Sequence, residues 1–171
     1  FEVILLDDAS EDGIGEILRK YHESYPERTT LELNVVNSGG VFRQWKKGLS
    51  LAKGDIIWVA ESDDWCSENF LDELVPYFEN EAVQIAYART LFMDRSGEKQ
   101  LWSIEEYLHD IDPLRWTKSF VETAATLVRE GFAIKNSIPN VSAALFQPPS
   151  HLNVFENEEW LEMRTVAVWA L

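Results

Sequence analysis

Five carboxylates stand out because each closes an apolar run. Glu61, Asp63 and Asp64 follow residues 56–60, and Asp7 and Asp8 follow residues 1–6. Three like charges crowded at one strand tip repel and raise one another's pKa, a cost that a cation relieves. Oxygen-only donors suit hard divalent ions such as Mg2+ or Mn2+, which bind through one or two carboxylates and share their shell with water and substrate phosphate. The plain alternative is a solvated acidic loop opening the next helix, since Asp and Glu favour helix starts.

The elements that must position these acids follow from apolar spacing. Residues 56–60 are too few for a helix, and their β-branched and aromatic content predicts a strand covered on both faces. In an open α/β sheet, ligands bind in the crevice outside the carboxyl ends of such strands. After Asp7-Asp8-Ala9-Ser10, Ser10 is the expected N-cap of a helix carrying Ile14, Ile17, Leu18 and Tyr21 on one face, with Glu11 and Asp12 at its positive end. Residues 31–36 form the next strand candidate. Asn37-Ser38-Gly39-Gly40 follows, two glycines that permit positive φ or close approach of the backbone to a ligand. Phe42, Trp45, Leu49 and Ala52 then recur at helical spacing, which leaves Arg43, Gln44, Lys46 and Lys47 largely on the other faces, either to meet phosphate or to be solvated.

Further along, Ser67 is the expected cap of a helix with Phe70, Leu71, Leu74, Val75 and Phe78 on its apolar face, and residues 83–88 form a strand. Asp94-Arg95-Ser96-Gly97 is a turn. Trp102, Tyr107 and Trp116 either pack a core or offer stacking faces. Phe120, Val121, Ala124, Leu127 and Val128 predict a helix with Gly131 as its C′ residue, and residues 141–146 predict the last clear strand. Glu156, Glu158 and Glu159 open a final helix through Trp160, Met163 and Val166.

The 171 residues are 46% hydrophobic and 26% charged, which predicts one compact domain over residues 1–171. A formal net charge of −15 argues against a nucleic-acid partner, which usually requires a basic footprint. It also means that a phosphorylated ligand needs a local counter-charge from a metal or a helix N-terminus. Cys66 is the single cysteine, so no intrachain disulfide framework exists and a reducing, cytoplasmic setting is expected. No apolar run has the length of a membrane span.

Taken together, Leu5-Leu6-Asp7-Asp8-Ala9-Ser10-Glu11-Asp12, Asn37-Ser38-Gly39-Gly40 with Phe42, Gln44-Trp45 and Gly48, and Ile57-Trp58 through Asp64 resemble a family 2 glycosyltransferase of the GT-A fold. The resemblance implies an α/β, Rossmann-like and mostly parallel sheet flanked by helices. It implies a nucleotide-sugar donor, an unidentified glycan or other acceptor, inversion at the anomeric carbon, Mg2+ or Mn2+, and polysaccharide biosynthesis as the setting. Asp7 and Asp8 would lie near the nucleotide base, one of them accepting from a ring N–H. Asn37, Gly39, Gly40 and Gln44 would line the nucleotide. Asp63 would approach the ribose or the metal, and Asp64, with Glu61, would hold the metal at the diphosphate.

Two departures from the family pattern bear on activity. The family's first strand, which normally precedes the one at Phe1 and lies between the strands of Asp8 and Asp64, has no counterpart here, so the sequence reads as a fragment truncated at both ends. Two sheet edges are expected to be unpaired and open to another chain, including a second copy. The family's acceptor base is an Asp before Trp in the carboxyl-terminal half, where Val168 precedes Trp169; valine cannot take a proton, and no catalytic residue is assigned. Two other readings of the same residues remain open. One is a nucleotide-sugar-binding relic without turnover. The other is a response-regulator receiver domain, whose phosphoacceptor strand also ends in acids but which needs a late Lys followed by Pro, whereas Lys118 precedes Ser119.

Overall fold

The computed structural model describes residues 1–152. The expectations placed on Glu156, Glu158, Glu159, Trp160, Met163, Val166, Val168 and Trp169 lie outside these residues. The chain divides into two compact units, Phe1–Ile57 with the described residues from 147 onward, and Trp58–Phe146.

The first unit is a β-α-β element followed by a helix. Strand β1 (Val3–Asp7) pairs in parallel with β2 (Thr29–Leu33), in a register that sets Val3 against Thr29 and Asp7 against Leu33. Helix α1 (Ile14–Ser24) makes the crossover, as a parallel pair requires. It begins at Ile14, the first residue of its apolar face, three residues later than a cap at Ser10 would place it. Ser10 does not cap it; Gly13, at φ 84°, is the N-cap, and the Ser10 N–H instead donates to Asp7 Oδ2 at 3.2 Å. Ala9, at φ 61°, turns the chain first, which uses up the residues that would have formed the opening turn. Asp12 does serve the helix start, accepting from the Ile14 N–H at 3.1 Å. Helix α2 (Val41–Leu51) packs on β1 so closely that a Cβ on Gly48 would lie 3.0 Å from Leu6 Cδ1.

From Trp58 the chain enters a three-stranded sheet in the order β3-β7-β4, of β3 (Ile57–Trp58), which begins at the boundary residue Ile57, β4 (Ile85–Tyr87) and β7 (Ala144–Phe146), with β4 and β7 antiparallel. Strand pairing is therefore mixed: β1–β2 is parallel, whereas β4–β7 and the hairpin β5 (Leu91–Met93) with β6 (Gln100–Ser103) are antiparallel. The α/β class holds. Strands β1 and β3 are half-buried along most of their length rather than covered on both faces. Each is the end strand of its sheet among the described residues, with one neighbour apiece, and edge strands receive less cover.

Helix α3 (Phe70–Leu74) is short, because Pro76 has no N–H to continue the ladder. The chain tightens there into a 3-10 turn over Val75–Glu79. Asn69, not Ser67, is its N-cap, although the Ser67 carbonyl accepts from the Phe70 N–H at 3.0 Å. One core cluster of the second unit is Ile104, Leu108 and Trp116, against which Phe92, Tyr107, Ile111 and Phe120 pack; Phe70, Leu74, Leu127, Ile138, Val141, Ala144 and Leu145 are buried in it too. Tyr107 and Trp116 thus serve as core, whereas Trp102 is exposed and stacks on Phe92 across the hairpin at 3.5 Å between centroids. Helix α4 (Ile104–Leu108) opens with a Ser103/Glu106 capping box. Helix α5 (Ala124–Leu127) starts at the Thr123 cap, after Phe120 and Val121, and runs into a π turn over Val128–Phe132. Gly131 is inside that turn instead of being a C′ residue.

Candidate functional site

In the first unit the sequence-predicted residues converge on Asp8. Strand pairing continues one step beyond β2, where the Asn34 N–H donates to the Asp7 carbonyl at 2.8 Å. This sets the Asn34 side chain beside Asp8, to whose Oδ1 its Nδ2 donates at 2.6 Å. The Ser38 N–H and Gln44 Nε2 donate to the same oxygen at 2.8 and 2.7 Å, and Ser38 Oγ donates to Oδ2 at 2.8 Å. Asn37 Nδ2 donates to the Asp8 carbonyl at 2.9 Å, while its Oδ1 accepts from the Gly39 N–H at 2.9 Å. Gly39 needs its glycine, having φ 87°; Gly40, at φ −174°, is extended backbone that caps α2 and requires none.

A carboxylate has about four lone-pair sites. Among the described residues three donors crowd Oδ1 and one occupies Oδ2, so the opening for a further donor is on Oδ2. Partial burial pushes the Asp8 carboxyl up, but the Ser38 backbone and hydroxyl donors, Asn34 and the Lys47 charge outweigh it and hold the group below its ordinary value. Asp8 is accordingly an ionised acceptor. Asp7 is buried beside it and closes the turn through Ser10.

In the second unit Glu61, Asp63 and Asp64 bring one carboxylate oxygen each to within 4.8 Å of one another. Glu61 and Asp64 are half-buried and Asp63 is exposed. Ser142, which is buried, fixes the start of this loop. Its Oγ accepts from the Glu61 N–H at 3.0 Å, and its carbonyl accepts from Trp58 Nε1 at 2.9 Å. Asn140 in turn accepts from the Ser142 N–H at 2.6 Å. The loop closes on itself through Asp64 N–H to the Glu61 carbonyl at 3.2 Å. Just beyond, the exposed ring of Trp65 rests on Gly97, the φ 72° residue in the β5–β6 turn. Three carboxylates with no nitrogen or sulfur among them are a donor set fitted to Mg2+ or Mn2+.

Asn34 and Ser142 carry these arrangements and were not singled out by sequence reasoning, whereas Ser38 was read within the Asn37–Gly40 turn and Lys47 as one of the cations on α2. Asn34 had a readable signal, as the polar residue interrupting an apolar run at the level where β1 reaches its acids. Ser142 had none, because its role depends on a partner 81 residues away.

The chain matches the family description "Glycosyl transferase family 2" over residues 1–135, which contain both acid groups. It belongs to the family 2 glycosyltransferases. Among curated proteins it is 30% identical over 95 residues to the glycosyltransferase GlyG of Streptococcus pneumoniae serotype 4, covering 56% of this chain and 31% of that protein. It is 34% identical over 71 residues to the poly(ribitol-phosphate) beta-glucosyltransferase of Bacillus spizizenii, covering 42% of this chain and 11% of that protein. It is 32% identical over 81 residues to the abequosyltransferase RfbV of Salmonella typhimurium, covering 47% and 24%. These matches span about a third of the relatives' length or less. Family membership removes the receiver-domain reading, and Lys118 ends a 3-10 turn (Arg115–Thr117) rather than following a strand. Among the described residues no helix is long and apolar enough to cross a membrane.

Proposed function

We propose that this chain binds a nucleoside-diphosphate sugar and takes part in transferring the sugar, with inversion and with Mg2+ or Mn2+, to an acceptor in polysaccharide biosynthesis. The observation that carries the reading is the Glu61, Asp63, Asp64 group, whose oxygens come within 4.8 Å in a chain of this family. Asp64 and Glu61, with Asp63, would hold the ion; when bound it supplies Lewis-acid stabilisation to a departing diphosphate. Ser142 keeps the loop set in advance, so that little ordering is needed on binding.

Asp8 takes the nucleoside end. An ionised carboxylate accepts and cannot donate, so the Oδ2 opening favours a base that presents a ring N–H. Uracil, thymine and guanine do so, whereas adenine and cytosine present a bare ring nitrogen at the corresponding edge. Asn37, Gly39, Gly40 and Gln44 shape the loop around it. The name of the Bacillus spizizenii relative supports a polymeric acceptor.

Calorimetry with uridine and guanosine diphosphates, with and without Mn2+, tests the donor reading, and a transfer assay with the corresponding nucleotide sugars tests turnover. Metal-dependent binding with turnover supports the enzyme. Binding without turnover supports the relic, and no binding by the folded chain removes both.

A further inference from the structure

Lys47 is a cation on α2 whose contacts run toward the nucleotide loop. Its ammonium lies 2.9 Å from Glu32 Oε2 and donates to Asn34 Oδ1 at 2.9 Å. Asn34 passes the interaction on, its Nδ2 donating to Asp8 Oδ1 at 2.6 Å. Gln44, one turn earlier on the same helix face, donates to the same carboxylate oxygen.

The chemistry of the two ends fixes the amide between them. An ammonium can only donate and an ionised carboxylate can only accept, so Asn34 must present oxygen to Lys47 and nitrogen to Asp8. A flipped amide would set oxygen against Asp8 Oδ1 and nitrogen against the ammonium. We propose that Lys47 is a positioning residue for nucleotide recognition, acting through Asn34 to hold Asp8 with an Oδ2 lone pair open to a ring N–H of the base. This rests on the reading that Asp8 meets the base.

Without the ammonium, Asn34 Oδ1 and Glu32 lose their shared donor, and the amide is free to turn away from Asp8. A rival role for Lys47 is direct charge contact with phosphate. The two differ in which part of the ligand loses affinity. Positioning of Asp8 affects nucleosides with a ring N–H and leaves inorganic pyrophosphate alone, whereas phosphate contact weakens every diphosphate equally.

The test is calorimetry in Mn2+ of wild type, Lys47→Met and Lys47→Arg against uridine diphosphate, adenosine diphosphate and pyrophosphate, with Lys20→Met as a charge-matched control. Lys47→Met is expected to weaken uridine diphosphate by about five- to tenfold, the loss of roughly one charge-assisted hydrogen bond. Pyrophosphate affinity should be unchanged, so that the preference for uridine over adenosine diphosphate shrinks. Lys47→Arg keeps a donor and should stay within about threefold of wild type. Should Lys47→Met fail to fold by circular dichroism, Lys47→Leu, which likewise has no donor, carries the same comparison. Unchanged uridine diphosphate affinity, or an equal loss for pyrophosphate, overturns the positioning role while leaving the donor reading intact. A wild-type chain that binds no nucleoside diphosphate overturns the donor reading itself, and the positioning role with it.

Discussion

The Asn34 amide donates to the Asp8 carboxylate across 2.6 Å although 26 residues separate them in the chain. The parallel register of β1 and β2 makes this contact, because the Asn34 N–H continues the ladder onto the Asp7 carbonyl. Asn34→Asp would place a second carboxylate against the first while keeping its shape. Like charges so close raise one another's pKa and push the groups apart. The variant should lose about 1 to 3 kcal/mol of stability and most of its uridine diphosphate affinity, measured by urea unfolding and calorimetry. Retention of both would show that the amide contributes nothing to Asp8.

Asp8 also sets an acid limit. Its folded-state carboxyl is held below the ordinary value of 3.8 by the Ser38, Asn34 and Lys47 interactions. A depressed folded pKa gives stability that is complete above the unfolded-state value and is lost as pH falls through the folded one. The Asp8 carboxyl carbon, followed by NMR during acid titration, should therefore show a midpoint below 3.8. Asn34→Ala should move that midpoint upward. A midpoint at or above the ordinary value in wild type would contradict the network.

Ser142 governs the acid loop from a distance. Ser142→Ala removes the hydroxyl that accepts from the Glu61 N–H, and losing a hydrogen bond of this kind costs about 0.5 to 1.5 kcal/mol. Mn2+ affinity, read by calorimetry, should fall several-fold while uridine affinity without metal stays the same. Equal losses in both would point to general destabilisation. Ser142→Thr keeps the hydroxyl and should retain more of the metal affinity.

Two left-handed positions are expected to respond with opposite signs. Ala9 holds φ 61° without being glycine, and Gly97 holds φ 72° beneath the Trp65 ring. Ala9→Gly relieves a strain of about 1 to 2 kcal/mol, offset in part by the greater freedom of the unfolded chain, so its Tm should rise slightly. Gly97→Ala imposes that strain and drives a methyl group into Trp65. Its Tm should fall and the tryptophan emission should shift. A Gly97→Ala chain with wild-type Tm and emission would contradict the packing of the acid loop on the hairpin turn.

Much of the first unit was legible because its signals are local. The apolar runs ending in Asp7 and Asp8, the Gly39 turn and the periodicity of α2 each specify a short stretch of backbone. What sequence reasoning missed depends on pairing. Ser10 looked like a helix cap, yet Asp7 competes for its N–H three residues away. The β5–β6 hairpin was reduced to its Asp94–Gly97 turn, since Phe92 and Trp102 become a cross-strand stack only once the register is known. Helix α4 was readable in principle, from Ser103 and Glu106 at capping-box spacing. The acids at 61, 63 and 64 were found from composition and spacing, but Ser142 enters only through the tertiary fold.

The proposed role of the acid group at the end of β3 is to hold a divalent ion for a nucleotide's phosphates. The direct measurement is titration of uridine diphosphate into wild type and Asp64→Asn, each with Mn2+ and with excess chelator. The account predicts that Mn2+ tightens binding by about tenfold or more in wild type and has little effect in Asp64→Asn, with the affinity in chelator nearly the same for both. Equal Mn2+ enhancement in wild type and in a folded Asp64→Asn chain would contradict it.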